Sequence, residues 1–458
     1  MIFNSLAFLA FFLILHFLYW TVRDRYRLDL ILAASVIFYG YWNVFFLFHF
    51  LLVILINYLF YRYHNYRYSK NQIIFIVVLN LLNLGFFKYY YFFIKIIEDA
   101  FLINLETHLS MPKIILPLAI SFYTFQIIAL QVDVYRGVVK NTIPLKKFFL
   151  FIMFFPQLIA GPIMRYDQFF PQLEKKKRYS DLAFNAGMIL IIMGILKKVV
   201  IADSISPIID PFFNDPAGHN WQSNLLALYA FAIQIYSDFA GYTDMACGMA
   251  LLLGFDIPVN FRAPYFSSSF RELWQRWHIT LSTWLRDYLY ISLGGSKGSV
   301  FRTQLNMFLT MLLGGLWHGA NYTFVIWGAL HGLYLYLERF LGLYPGKNES
   351  IFIRILRIFI IFHLSVFSLV FFRPDSIEKS FQIIQGLFSA DGKLFYGANQ
   401  LAVFFLLAII LHVYEYNKKK IHLKFKLRKI LVPIAGFFTA IMVATLTSNA
   451  APFIYFQF

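Results

Sequence analysis

Three histidines stand where an ionisable side chain is costly. His318 and His331 lie in the apolar run FLTMLLGGLWHGANYTFVIWGALHGLYLY, and His278 lies in FRELWQRWHITLSTWLRDYLYISLGGSKG just before it. A polar ionisable group near the centre of a bilayer costs roughly 2.5 to 3.5 kcal/mol on insertion, so it is a functional candidate by default. Gly314, Gly315 and Gly319 around His318 permit close approach of a ligand or of another backbone. Trp317 and Asn321 offer it an aromatic and a polar wall. Because histidine titrates near neutrality, it can take a hydroxyl proton and return it, as acyl transfer to an alcohol requires. We therefore expect His318 to be the catalytic base.

His278 is open to three uses: polarising an acyl carbonyl, orienting the acceptor, or bonding a neighbouring helix. Trp274, His278 and Ser282 recur at four-residue intervals, which on one helix places them on a common face. His331 fits either a tunnel wall or a small-residue helix contact in ALHG. Asp238 and Asp244, in SDFAGYTDMACGMALLLGF, read as polar groups lining a cavity or as helix-end caps. In the terminal FIYFQF, Tyr455 is either an interfacial aromatic anchor or a nucleophile that carries an acyl group after His318 deprotonates it. His16, His49, His64, His363, His412 and His422 lack such settings and read as structural or solvated. Cys247 reads as a small buried apolar residue.

Other chemistries find no support. The sequence holds no HExxH, no GxSxG and no phosphate-cradling glycine loop, and a single cysteine excludes a disulfide framework or a cysteine metal site. We expect no metal. The net charge of +17 resides in short loops between apolar runs, which suits a membrane face and not nucleic acid.

The elements that must position these residues are helices in a bilayer. Of 458 residues 60% are apolar and only 14% charged, well below the quarter usual in soluble proteins. A span needs about 20 apolar residues, and such runs recur at 2–20, 72–97, 113–135, 183–206, 221–240, 303–320, 321–340, 351–373, 399–416 and 430–448. Segment 29–61, interrupted by Gly40 and Asn43, predicts a helical hairpin. The expectation is an all-α polytopic membrane protein of about 11 transmembrane helices with re-entrant and amphipathic helices, forming one domain over 1–458 with an aromatic tail at 451–458. The first run is followed by RDRYR and lacks a basic leader, so it reads as a retained span. Placing basic loops 23–27, 62–70, 146–147, 174–178, 262–302 and 418–429 inside sends both termini outside. It also requires 148–173 to enter and leave on one side, which is tolerated only for backbone buried in protein or lining a cavity.

The motifs SFYTFQIIALQVDVYRG, FPQLIAGPIMRYDQF, IYSDFAGYTDMACGMALLLGF, FRELWQRWHITLSTWLRDYLYISLGG and GLWHGANYTFVIWGALHG cover most of the chain. Together they resemble the membrane-bound O-acyltransferases, most closely the bacterial branch that acetylates alginate or peptidoglycan and D-alanylates teichoic acid. The resemblance implies helices around a membrane tunnel in the bacterial inner membrane, embedded in lipid, with a cytoplasmic acyl donor and an outside acceptor. It puts His318 on the family's near-invariant histidine and His278 on its second polar site. By the same resemblance, Tyr455 accepts the acyl group and passes it to an extracytoplasmic partner of the SGNH esterase-like kind. A tail within the chain favours acetyl-CoA as donor over the carrier-protein thioester of the D-alanylating branch. Abundant Phe, Ile, Lys, Tyr and Asn suggest an AT-rich genome, which inclines the acceptor to peptidoglycan, with alginate as the alternative. A non-enzymatic transporter is the competing class, and the paired interrupted helices it often carries are not evident.

Overall fold

The computed structural model describes residues 3, 5–103, 114–346, 349–394 and 397–417. The expected span at 430–448, the basic run 418–429 and the tail with Tyr455 lie outside the described residues. Among those described, the chain is all-helical, without a β-strand. It forms two compact units, residues 1–184 with 249–258, and 185–248 with 259–458.

The first unit opens with α1 (Leu6–Thr21), whose first turn is capped by the Ser5 hydroxyl accepting from the Phe8 amide at 3.2 Å. The expected hairpin is present as α2 (Asp24–Gly40) and α3 (Val44–Tyr63). It turns where the sequence marks it: Asn43 is extended, and its side chain accepts from the Phe46 amide at 3.1 Å to restart the helix. α4 (Lys70–Leu84) starts on a Ser69–Gln72 capping box and runs through a π-helical turn, Gly85–Tyr89, into α5 (Tyr90–Phe101). α6 (Ile120–Tyr135) begins later than the apolar run at 113–135 suggests, because Pro117 cannot supply an intrahelical amide.

Segment 148–173 breaks into α7 (Leu145–Met153), α8 (Phe155–Leu158) and α9 (Tyr166–Glu174). Phe148, Phe151, Phe154, Phe155 and Phe169 are fully buried. Where regular hydrogen bonding lapses, two glutamines supply it: the Phe151 carbonyl accepts from Gln126 at 2.6 Å and from Gln157 at 2.9 Å. This meets the condition for irregular backbone at membrane depth, which is burial in protein with its polar groups satisfied.

The second unit takes up α10 (Phe184–Ile195), a π-helical stretch Leu196–Ala202, α11 (Asp203–Asn214) and α12 (Trp221–Leu252). α12 continues twelve residues beyond the run expected at 221–240. Its later half is small and polar in sequence, with Gly241 and Gly248 pressed against α10: a Cβ on Gly241 would stand 2.7 Å from the Gly194 carbonyl oxygen, and one on Gly248 2.6 Å from that of Gly187. Two glycines seven residues apart on each helix thus form a seam along which the backbones touch. Then follow the short α13 (Phe270–Arg276) and α14 (Ile279–Trp284), the antiparallel pair α15 (Val300–His318) and α16 (Tyr322–Phe340), and α17 (Ile351–Ser368), α18 (Ile377–Leu387) and α19 (Ala398–Asn417).

Among the described residues, four helical stretches are long and apolar enough to cross a membrane: Val44–Tyr63, Lys70–Phe101, Ile351–Phe371 and Asn399–Asn417. Leu6–Thr21 is apolar but shorter. α15 and α16 are nearly as long yet bury Thr303, Gln304, Asn306, Thr310 and His331, groups that protein and not lipid must face.

Candidate active site

α15 ends on His318, and α16 begins four residues later, at Tyr322. Asn321 caps α16, its side-chain oxygen accepting from the Thr323 amide at 3.1 Å while its amide donates to the Asp375 carbonyl at 2.7 Å. The glycines around His318 serve the approach of another backbone. A Cβ on Gly315 would lie 2.3 Å from the Phe324 carbonyl oxygen and 2.8 Å from the Gly328 Cα, and one on Gly319 would enter the Phe324 ring. The pair packs closely enough that His318, 3% exposed, is walled by rings: Trp317 at 5.0 Å, Trp327 at 5.1 Å and Phe372 at 5.3 Å between centroids.

His278 does not share a continuous helix with Trp274 and Ser282, as the four-residue spacing suggests. The helix breaks between Arg276 and Ile279, and His278 sits in the break with φ 40° and ψ 54°, a left-handed conformation that costs a non-glycine residue of order 1 to 3 kcal/mol. Asn260 holds the break open for α14. Its carbonyl accepts from the Ile279 amide at 3.0 Å, and its side-chain oxygen accepts from the Thr280 hydroxyl at 2.6 Å and amide at 3.2 Å. Upstream, the Glu338 carboxylate of α16 accepts the Phe270 and Arg271 amides, tying the start of α13 to the helix that carries His331. His278 is fully buried, with the Phe239 ring at 4.6 Å and Trp317 at 5.9 Å.

These constraints produce a row of alternating imidazoles and indoles: His278, Trp317, His318, Trp327, His331, Trp274. Successive centroids are 5.9, 5.0, 5.1, 4.6 and 5.2 Å apart. Five of its six members are residues singled out in the sequence. Trp327 is the one missed, although it lies four residues before His331 and so on the same helical face. The row is apolar in bulk; its imidazoles can take up and release a proton, while its indole N–H groups only donate hydrogen bonds.

Other candidates lie elsewhere. Ser282 is half-buried on α14. Asp238 and Asp244 are not helix-end caps, since both sit within α12, and each binds a buried lysine: Asp238 meets Lys198 at 2.5 Å and Asp244 meets Lys197 at 2.6 Å. Asp203 also pairs with Lys198, at 2.7 Å, and Glu415 with Lys197, while the Tyr236 hydroxyl donates to Glu415. Sequence reasoning passed over Lys197 and Lys198, though two lysines inside GILKKVVIA were the signal. His412 is buried, its Nε2 accepting from the Tyr265 amide at 3.0 Å. No group of three or more metal-ligating side chains occurs among the described residues.

Residues 138–369 match the model of the membrane-bound O-acyltransferase family. The chain is 41% identical to the probable alginate O-acetylase of Pseudomonas aeruginosa over 85% of its own length and 75% of that protein's. It is 35% identical to the peptidoglycan O-acetyltransferase of Helicobacter pylori, over 71% of this chain and 66% of the relative. With the teichoic acid D-alanyltransferase of Bacillus subtilis it shares 32% identity over 59% of this chain and 72% of the relative. The ring row from Trp274 to His331 falls within the matched region.

Proposed function

The chain belongs to the membrane-bound O-acyltransferase family, and from that premise we propose that it O-acetylates an alginate-like polysaccharide with His318 as catalytic base. That it is a membrane O-acyltransferase follows from the family; acceptor, donor and roles are our reading. The inclination to peptidoglycan is corrected. It rested on amino-acid usage, which reflects genome base composition and says nothing of the acceptor, whereas the alginate O-acetylase relative is the more similar and covers more of the chain.

The observation that carries the reading is His318 buried at a helix end among Trp317, Trp327 and Phe372, in an apolar setting where a neutral imidazole can act as a base. In the proposed reaction acetyl-CoA docks from the basic cytoplasmic face in the inner membrane, and both termini face outward. His318 takes the phenolic proton of Tyr455. The phenolate attacks the thioester carbon, the carbon–sulfur bond breaks, and the CoA thiolate leaves with the proton from His318. The acetyl-Tyr455 ester is then consumed by the serine of an SGNH-type partner, which delivers acetyl to the glycan. His278 orients the reacting groups across Trp317.

The test is intact-mass measurement of the purified full chain after incubation with acetyl-CoA. One added acetyl group, lost in Tyr455→Phe and in His318→Ala, is expected. An adduct that persists in Tyr455→Phe refutes the carrier role.

A further inference from the structure

An open recess beside α13 is polar where the ring row is not. Its walls include Ser268, Arg271 and Gln275 in and just before α13, Tyr344 after α16, and Glu349 and Arg354 at the start of α17. Four arginines and two glutamates meet around it, and the salt bridges use only half of the arginines: Glu272 pairs with Arg276 at 2.8 Å, and Glu349 with Arg357 at 2.5 Å. Arg271 and Arg354 have no carboxylate within salt-bridge distance among the described residues.

Both of these arginines are nevertheless held in place. The Arg271 amide donates to the Glu338 carboxylate at 3.1 Å, which fixes the start of α13, and the same carboxylate attracts the Arg271 guanidinium at longer range. The Arg354 guanidinium donates to the Tyr416 hydroxyl of α19 at 2.8 Å. Two guanidiniums on one recess, with hydroxyl and amide groups between them and the nearby carboxylates already paired, suit a phosphate. Its oxygens accept in pairs from such planar forks.

The position of the recess says which phosphate. α17 opens the stretch Ile351–Phe371, which is long and apolar enough to cross a membrane, so the first turn of that span stands at headgroup level. Ile351, Phe352, Ile355 and Phe359 are exposed. At about 100° per residue they fall in one stripe roughly 100° wide, and Arg354 flanks it. A lipid on that stripe rests its acyl chains on apolar side chains and brings its phosphate to Arg354.

We infer that this recess binds the phosphate of an anionic phospholipid between Arg271 and Arg354, with the acyl chains along α17. Basic pockets between membrane helices recognise anionic headgroups in this way. A choline headgroup is disfavoured, because its own ammonium meets the guanidiniums. One phosphate held by both arginines ties α13, which carries Trp274, to the first turn of α17.

The test is native mass spectrometry of the full chain released from detergent micelles doped with equal amounts of dioleoyl phosphatidylglycerol and dioleoyl phosphatidylcholine. The parent should keep one phosphatidylglycerol under activation that strips phosphatidylcholine. Arg271→Gln with Arg354→Gln should lower that retention roughly tenfold. Arg271→Gln alone changes an exposed side chain and leaves the backbone bond to Glu338 intact, so it reads out the site even where the double variant folds poorly, and retention should fall several-fold. Arg23→Gln with Arg25→Gln removes the same charge from another basic loop and should change nothing. Equal retention of the two lipids overturns the inference, as does unchanged retention in the Arg271 variant. An equal loss in the Arg23 and Arg25 variant overturns it too, leaving only non-specific surface charge. Displacement of the lipid by sodium phosphate or by coenzyme A at matched concentration gives the guanidiniums to a soluble phosphate, and the lipid assignment falls.

Discussion

The ring row and the lysine cluster are two answers to one problem, the ionisable side chain in an apolar helix. Around Lys197 and Lys198 the charges are spent on one another: each ammonium has two carboxylate partners, and the π-helical stretch and the glycine seam bring α10 and α12 close enough for the pairs to form. In the row from His278 to Trp274 the imidazoles lie instead among aromatic rings, and His331 Nδ1 has no hydrogen-bond partner among the described residues. Cost of burial therefore does not identify a site. What separates the two regions is whether the buried ionisable groups are paired with opposite charges or packed among aromatic rings.

The largest effect that would sharpen this contrast is at His318. Replacing it with alanine should lower acyl transfer by roughly 10²- to 10⁴-fold, the range for loss of a general base, while the melting temperature in detergent stays near that of the parent. Thiol release from acetyl-CoA and a thermal melt on the same preparation measure both. A His318→Ala protein that melts early and retains turnover per folded molecule would put the row on the structural side.

Lys198 should behave in the opposite sense. Lys198→Met leaves Asp203 and Asp238 without their shared cation, and breaking a buried pair typically costs about 3 to 5 kcal/mol. Stability should fall by that order in a denaturation series, and turnover per folded molecule should persist. Loss of turnover at unchanged stability would instead mark the cluster as part of the chemistry.

Much of this was legible in the sequence, and the omissions share one cause. The α2–α3 hairpin could be read because Gly40 and Asn43 act locally, one ending a helix and the other capping the next. His318, His278, His331, Trp317 and Trp274 could be read because polar and aromatic groups in apolar runs are conspicuous. The break at His278 could not, since Asn260, eighteen residues upstream, holds it, and histidine is not a residue that favours a left-handed backbone. The length of α12 was hidden for a similar reason. Asp238 and Asp244 make its sequence look too polar to continue, and only their partners on a neighbouring helix neutralise them. The glycines of LGGLWHGAN left ligand and backbone equally open until α16 was seen to fill the space.

Asn321 gives the smallest effect and the finest division. It is three residues from His318 and from sequence was a wall of the site, yet its oxygen and its amide are both engaged in starting α16 and holding Asp375. If capping is its whole task, Asn321→Ala should cost about 1 kcal/mol, the usual value of an N-cap, and Asn321→Ser should recover most of that loss. Turnover per folded molecule should match the parent in both. A cap also sets where α16 begins, and Trp327 and His331 lie less than three turns further along it. An alanine variant with parental stability and strongly reduced turnover would return Asn321 to the wall of the site, where the sequence reading placed it, and its capping bonds would then serve the chemistry as well as the helix.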